Sequence, residues 1–208
     1  MRFIYFCISI CIEIVLFFID LLIKFKIKKE INDYKSWVRL SDFILKLKKN
    51  FYNIDFVKGR MFSYKPLSES ITYIEKDYYT IYECNIILHE LGHSRDSVYV
   101  KKTLYKKLFA DVFLLPISLV GLFGLNVEAI CYICIVLGNI ILQLYVDINI
   151  YKMEKEASNF AVKEIMRLFN LMAKDEKKIK KLNKYAYVSQ LIERGMLIIV
   201  YCMLLVVV

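Results

Sequence analysis

The most specific chemical pattern in the chain is a pair of histidines spaced four residues apart. The run His89-Glu90-Leu91-Gly92-His93 matches H-E-x-x-H, in which two helical histidines bind one zinc ion. Four residues make slightly more than one helical turn, so both imidazoles project from the same face and leave an open coordination position for water. Glu90 is then placed to act as the general base on that water, which zinc makes more acidic. The pattern predicts one zinc ion per chain and hydrolysis of a peptide bond through a Glu-activated, zinc-bound water.

A third zinc ligand must come from elsewhere in the chain. Catalytic zinc ions usually have three protein ligands, and the chain has only these two histidines, so the third must be a carboxylate or a thiolate. Cys84 lies on the apolar side of the histidine helix and is predicted to belong to the core. The segment Glu154-Lys155-Glu156-Ala157-Ser158 offers two carboxylates in a predicted helix whose small alanines would allow a close approach to the histidine helix. Glu154 and Glu156 are both candidates by this reasoning.

The elements that position these residues alternate with long apolar stretches. The 208 residues are 58% hydrophobic, which indicates a protein that uses lipid as solvent. We expect a signal-anchor span over residues 1–23, a transmembrane hairpin over 108–150 and a C-terminal span over 185–208. The net charge of +9 lies mostly in the lysine-rich segments 24–107 and 151–184. The positive-inside rule places both segments in the cytoplasm and identifies the lipid bilayer, rather than nucleic acid, as a partner.

These two polar segments are predicted to carry the catalytic residues. In the first we expect a helix over Ser36 to Phe51, short strands that include 70–75, and the metal helix over Thr80 to Asp96. In the second we expect a helix over Lys152 to Phe169, with Asp175 opening the last helix. The strand that ends at Glu75 could hold an extended peptide if it lies at a sheet edge.

The two motifs together resemble a known family. H-E-L-G-H followed, across a hydrophobic hairpin, by E-x-x-A-S is similar to the neutral zinc metallopeptidases of bacterial membranes. It is more distantly similar to membrane peptidases with E-x-x-A-D, which include the CAAX prenyl endopeptidases. The resemblance covers most of the chain and implies that Glu154, the first glutamate of E-x-x-A, is the third ligand. The residues after His93, namely Ser94, Arg95 and Asp96, differ from the alanine and glutamine expected there, which bears on substrate choice.

The expected fold class is therefore a mainly α, multi-span helical membrane protein. A cytoplasmic gluzincin-like metallopeptidase unit would carry the site, with a short β-hairpin or small sheet before the metal helix. The expected activity is that of a membrane-bound zinc endopeptidase of the bacterial cell membrane, acting on a protein or peptide substrate. Tyr187 or Arg194 in the last helix could stabilise the oxyanion. Asp147 could contact a zinc-binding histidine, although its position at the edge of a span favours solvation at the membrane interface.

Two other interpretations fit part of the pattern. A site-2-type intramembrane protease also carries H-E-x-x-H, but it places the motif inside an apolar span, whereas polar residues such as Glu83 and Arg95 flank it here. A catalytically silent zinc-binding membrane scaffold would have no need of Glu90, because a structural zinc site is usually closed by a fourth protein ligand. Both are less consistent with the sequence than the peptidase.

Overall fold

Helices make up most of the described structure. The computed structural model describes residues 2–32, 37–51, 53–110 and 129–207. Its helices are α1 (Arg2–Asn32), α2 (Leu40–Asn50), α3 (Ile81–Ser94), α4 (Ser97–Phe109), α5 (Ala129–Phe169) and α6 (Ala173–Val207). Its strands are β1 (Trp37–Arg39), β2 (Asp55–Gly59), β3 (Ser63–Lys65), β4 (Ser70–Ile74) and β5 (Tyr78–Thr80). Mainly helical structure with small sheets before the metal helix agrees with the sequence.

The expected multi-span architecture is wrong. Among the described residues, one helical stretch is long and apolar enough to cross a bilayer, whereas several spans were expected. This stretch is Ile133–Phe169 within α5. Residues 111–128 of the expected transmembrane hairpin over 108–150 lie outside the described residues. In α1 and α6, ionisable side chains interrupt the apolar stretches and are engaged within the protein. Asp20 accepts from Lys24 at 2.7 Å, and Arg194 lies 3.3 Å from Asp147.

The chain divides into two compact units. The first comprises residues 1–25, 103–150 and 186–208, and the second comprises 26–102 and 151–185. The second unit contains all five strands of the described residues, together with α2, α3 and the C-terminal part of α5. Its core includes the fully buried side chains of Phe43, Leu47, Ile71 and Tyr79. The residues predicted to bind the metal all lie in this second unit.

Two small sheets lie in the second unit. β1 pairs with β5 in antiparallel orientation, and the other sheet has the order β2-β4-β3. β4 pairs in parallel with β2 and antiparallel with β3, so both of its sides are occupied. β4 corresponds to the strand that was predicted to hold an extended peptide if it lay at a sheet edge. It lies at the centre of its sheet instead. The antiparallel partner of β4 is β3, which is an edge strand of this sheet.

Candidate metal centre

A capping box fixes the start of the metal helix α3. Thr80 Oγ1 accepts a hydrogen bond from the Glu83 N–H at 3.1 Å, and Glu83 Oε2 accepts one from the Thr80 N–H at 2.9 Å. These two bonds satisfy backbone donors that the first helical turn otherwise leaves free. The helix ends at Ser94, close to the predicted end at Asp96.

Opposite faces of α3 have different surroundings. Ile87, Leu88 and Leu91 are fully buried in the core, together with Cys84. Burial raises the pKa of the Cys84 thiol, and Cys84 is not part of the metal-binding group of His89, His93 and Glu154. The apolar face thereby holds the helix in the second unit, and the histidines project from the rest of its surface.

The structure brings His89, His93 and Glu154 together. His89 Nε2 lies 2.9 Å from Glu154 Oε2 and 3.2 Å from His93 Nε2, and His93 Nε2 lies 3.5 Å from Glu154 Oε1. Ligand atoms about 2.0–2.1 Å from a tetrahedral zinc ion are separated by about 3.3 Å. The three residues can therefore hold a metal ion with little rearrangement. Glu156, the alternative carboxylate, is exposed and is not part of this group.

A close approach between α3 and α5 makes this arrangement possible. A Cβ atom built on Gly92 would lie 2.7 Å from Ala157 Cα and 2.9 Å from the Ala157 carbonyl oxygen. Only glycine fits at position 92 with the α5 backbone at this distance. The small residue at Ala157 has the role expected from the sequence, because it lets the helix that carries Glu154 approach the histidine helix.

Ser158 contacts the far side of the His89 ring. Its Oγ lies 3.1 Å from His89 Nδ1, and when Nδ1–H donates to this hydroxyl, Nε2 carries the free lone pair that a metal requires. His93 Nδ1 is buried and has no hydrogen-bond partner among the described residues. Ser158 therefore orients one of the two rings. Ser158 is part of E-x-x-A-S in the sequence. Its contact with His89 could not be predicted from the sequence, because the contact depends on how α3 and α5 pack together.

The three candidate ligands shift one another's pKa values in different directions. Burial tends to lower the pKa of His89, but the hydrogen bond and charge of Glu154 outweigh it and the pKa is raised. Burial and the neighbouring His89 lower the pKa of His93 to about 4. Burial alone would raise the pKa of Glu154, yet its contacts with both histidines hold it below the usual value. At neutral pH the group thus offers a carboxylate and a neutral imidazole.

Glu90 is held by the backbone of β3. Its Oε2 accepts a hydrogen bond of 2.7 Å from the Tyr64 N–H. Burial raises the pKa of Glu90, although the positive charge of His89 and the Tyr64 N–H act in the opposite direction. A carboxyl group with a raised pKa is better matched to exchanging protons near neutral pH. The contact with Tyr64 was not predicted, because it joins residues far apart in the sequence.

No family model, curated protein or solved structure matches this chain. The family resemblance drawn from H-E-x-x-H and E-x-x-A-S therefore remains a prediction. The functional argument rests on the geometry of the metal-binding group and of Glu90.

The other predicted residues lie in the first unit. Tyr187 and Arg194, the candidates for oxyanion stabilisation, belong to residues 186–208 of that unit. Asp147 was considered as a contact of a zinc-binding histidine, but it pairs with Arg194. Ser158 occupies the position beside the His89 ring instead.

Proposed function

We propose that the protein is a membrane-associated, zinc-dependent endopeptidase in which Glu90 is the general base. The observation that carries the proposal is the convergence of His89, His93 and Glu154 beside a glutamate whose carboxylate is held by the Tyr64 N–H. Among the described residues, no fourth histidine, cysteine, aspartate or glutamate belongs to the group. A structural zinc site would usually be closed by a fourth protein ligand. A three-ligand group with an adjacent base is typical of a catalytic site.

Zinc is the metal that this set of ligands favours. Two histidines and one glutamate form one of the recurrent sets of catalytic zinc. When bound, zinc would increase the acidity of water and polarise a peptide carbonyl group. Ser158 would orient His89, and Glu154 would contribute a negative charge that offsets part of the charge of the cation.

Glu90 performs the proton transfers in this proposal. The Tyr64 N–H occupies Oε2, which leaves Oε1 to take a proton from the attacking water. The same carboxyl group can then deliver that proton to the nitrogen of the leaving amine. The backbone contact holds the carboxylate in one orientation during both steps, so less motion is needed between them.

The proposed substrate is an extended peptide segment of a protein or peptide near a membrane surface. β3 pairs with β4 on one side, and its central residue directs its N–H towards Glu90 rather than towards β4. An edge strand with outward-facing backbone groups can hold an extended chain by main-chain hydrogen bonding. The helical stretch that contains the candidate span, Ile133–Phe169 of α5, also carries Glu154. We place the segment with Glu154 on the cytoplasmic side because of the lysine-rich composition noted above, and in a bacterial membrane because of the family resemblance of the two motifs.

The experiment that tests the proposal is a comparison of metal content and peptide hydrolysis in detergent-purified variants. Wild type should contain about one zinc ion per chain, and His93→Ala and Glu154→Gln should lose it. Glu156→Gln is the matched control because Glu156 lies two residues away and is exposed; it should retain zinc. Glu90→Gln should retain zinc and lose hydrolysis.

Each result separates the interpretations. Absence of zinc in wild type purified without chelators would contradict the proposal. Zinc binding with no hydrolysis in the wild type, and no effect of Glu90→Gln on any cellular phenotype of the protein, would favour the silent scaffold. Loss of zinc in Glu156→Gln but not in Glu154→Gln would show that the ligand assignment is wrong.

A further inference from the structure

Ammonium groups from two helices converge where the end of α1 meets the start of α6. Lys26 Nζ lies 5.1 Å from the centre of the Tyr185 ring. Lys181 Nζ lies 5.6 Å from the centre of the same ring and 3.0 Å from Glu30 Oε1. The contacts join residues four apart on each helix in opposite order, so the two helices run antiparallel here. All four residues belong to the second unit.

The α6 side of this surface is a stripe of lysines. Lys174, Lys177, Lys181 and Lys184 are spaced by three, four and three residues, so they lie on one face of the helix over about 15 Å. All four side chains are exposed. Like charges at these spacings repel one another and destabilise a helix. Among the described residues, Lys181 is the one member of the stripe that makes an ion pair, so the repulsion is compensated at one position only.

The charge of this surface is strongly unbalanced. Residues 26–32 and 173–185 contain nine lysines and three carboxylates, so they carry a net charge of +6 out of +9 for the whole chain. A ligand that relieves the repulsion must be an anion. Phosphate is the anion that accepts several charge-assisted hydrogen bonds from ammonium groups at once.

The apolar residues next to these lysines indicate which phosphate compound fits. The apolar run Phe3 to Ile23 ends just before Lys26, and the run Met196 to Val208 follows α6 lysines. Leu22 and Phe25, directly before Lys26 in α1, are 69% and 68% exposed. A phospholipid carries a phosphate group and acyl chains in one molecule, whereas inorganic phosphate and nucleic acid would make no use of apolar side chains. Lysine clusters beside apolar helical segments are typical of sites that bind anionic lipids.

We infer that the exposed lysines Lys26, Lys29, Lys177, Lys181 and Lys184, grouped around Tyr185, bind the phosphate group of an anionic phospholipid. This lysine surface lies on the outside of the second unit, so a headgroup reaches it without any rearrangement. The inference goes beyond the proposed function, because it requires neither a metal ion nor Glu90. Lipid binding here fixes the second unit, which carries the metal-binding group, to an anionic membrane surface.

The test measures lipid binding to the detergent-purified full chain by native mass spectrometry. The probes are phosphatidylglycerol, which is anionic, and phosphatidylcholine with the same acyl chains, which has no net charge. For wild type we expect a dissociation constant for phosphatidylglycerol at least about tenfold below that for phosphatidylcholine. Inorganic phosphate and a short single-stranded oligonucleotide, added as competitors, distinguish the lipid from other phosphate compounds.

The matching variant replaces Lys174, Lys177 and Lys184 with glutamine. None of the three makes an ion pair among the described residues, so their removal relieves repulsion and should leave the melting temperature no lower than in wild type. Each lysine near a lipid surface contributes about fivefold to binding, so the triple variant should bind phosphatidylglycerol at least about tenfold more weakly, with binding of phosphatidylcholine unchanged. The control removes the same charge from exposed lysines elsewhere in the second unit, Lys48, Lys49 and Lys102, and should bind both lipids like wild type.

Four results would overturn the inference. Equal affinity of wild type for the two lipids would show that the headgroup charge is not recognised. An unchanged affinity of the triple variant for phosphatidylglycerol, or an equal loss in the control variant, would show that this surface is not the site. Displacement of the lipid by the oligonucleotide or by inorganic phosphate at a concentration equal to that of the lipid would assign the surface to nucleic acid or to a free anion. Zinc content and hydrolysis play no part in these measurements, so a failure of the proposed function is seen in a separate experiment.

Discussion

Replacing Gly92 with alanine should destabilise the protein, although alanine is the better helix former. In a helix interior this replacement ordinarily stabilises by roughly 0.5–1 kcal/mol. Here the added Cβ would lie 2.7 Å from Ala157 Cα and 2.9 Å from the Ala157 carbonyl oxygen. Because non-bonded carbon atoms pack at about 3.5–4.0 Å, the α5 backbone would have to move by roughly 1 Å. Overpacking of this kind costs about 1–3 kcal/mol, so the steric term exceeds the gain in helix propensity.

The same displacement should weaken metal binding. Glu154 lies one helical turn before Ala157, so a movement of about 1 Å exceeds the roughly 0.2 Å tolerance of metal–ligand distances. We expect zinc affinity, measured by competition with a chromogenic chelator, to fall by at least about tenfold, together with a lower melting temperature. Gly195→Ala is the control, because its new Cβ would meet no atom of the described residues within 4 Å beyond its chain neighbours and the adjacent backbone of its own helix.

A second substitution sharpens this prediction. Adding Ala157→Gly to Gly92→Ala removes only the side-chain contact at 3.1 Å, while the two shorter contacts are with the α5 backbone. The double variant should therefore recover little zinc affinity. Zinc binding as tight as in wild type, together with a higher melting temperature, would show that α3 and α5 do not approach this closely at Gly92. The proposed geometry of the metal-binding group would then be wrong as well.

Three further predictions concern residues around α3. Ser158→Ala removes the contact with His89 Nδ1 and should weaken zinc binding by about 10-fold or more in the same titration; an unchanged affinity would show that the hydroxyl does not orient the ring. Thr80→Ala should lower the free energy of unfolding in urea by about 1 kcal/mol, whereas Thr80→Ser should retain the cap with Glu83; equal losses in both would argue against the capping box. Cys84 is fully buried with a raised pKa, so iodoacetamide should label it only after denaturation, as mass spectrometry can show; rapid labelling of the folded protein would contradict its burial.

The metal helix was predictable because its signals are local. Thr80 and Glu83 are three residues apart and satisfy each other's backbone groups, and the histidines are spaced for one helical face. Each of these interactions joins neighbours in the sequence. The predicted range of Thr80 to Asp96 therefore matches α3, with Thr80 as the N-cap, to within about two residues.

The sheet and the apolar helices were harder to predict because they depend on distant partners. Residues Trp37–Arg39 were expected to be helical, but they pair with Tyr78–Thr80, and this pairing delays the start of α2 to Leu40. The position of β4 at the centre of its sheet follows from parallel pairing with β2. The alternation of apolar and polar residues within one strand does not show which strands pair with it. For the apolar stretches, composition indicated lipid contact, whereas Asp20 and Arg194 are engaged within the protein.

The motif E-x-x-A-S has little specificity as a sequence pattern, and the structure gives a physical reason for its spacing. Positions one, four and five of the motif lie on the side of α5 that faces α3. Glu154 brings a carboxylate to the histidines, Ala157 permits the approach of Gly92, and Ser158 reaches the His89 ring. The third position, Glu156, is exposed and takes no part. Because the small residue at 157 is useful only opposite the glycine of H-E-L-G-H, the two motifs are informative together: a larger residue at either position would separate the helices and move the carboxylate away from the imidazoles.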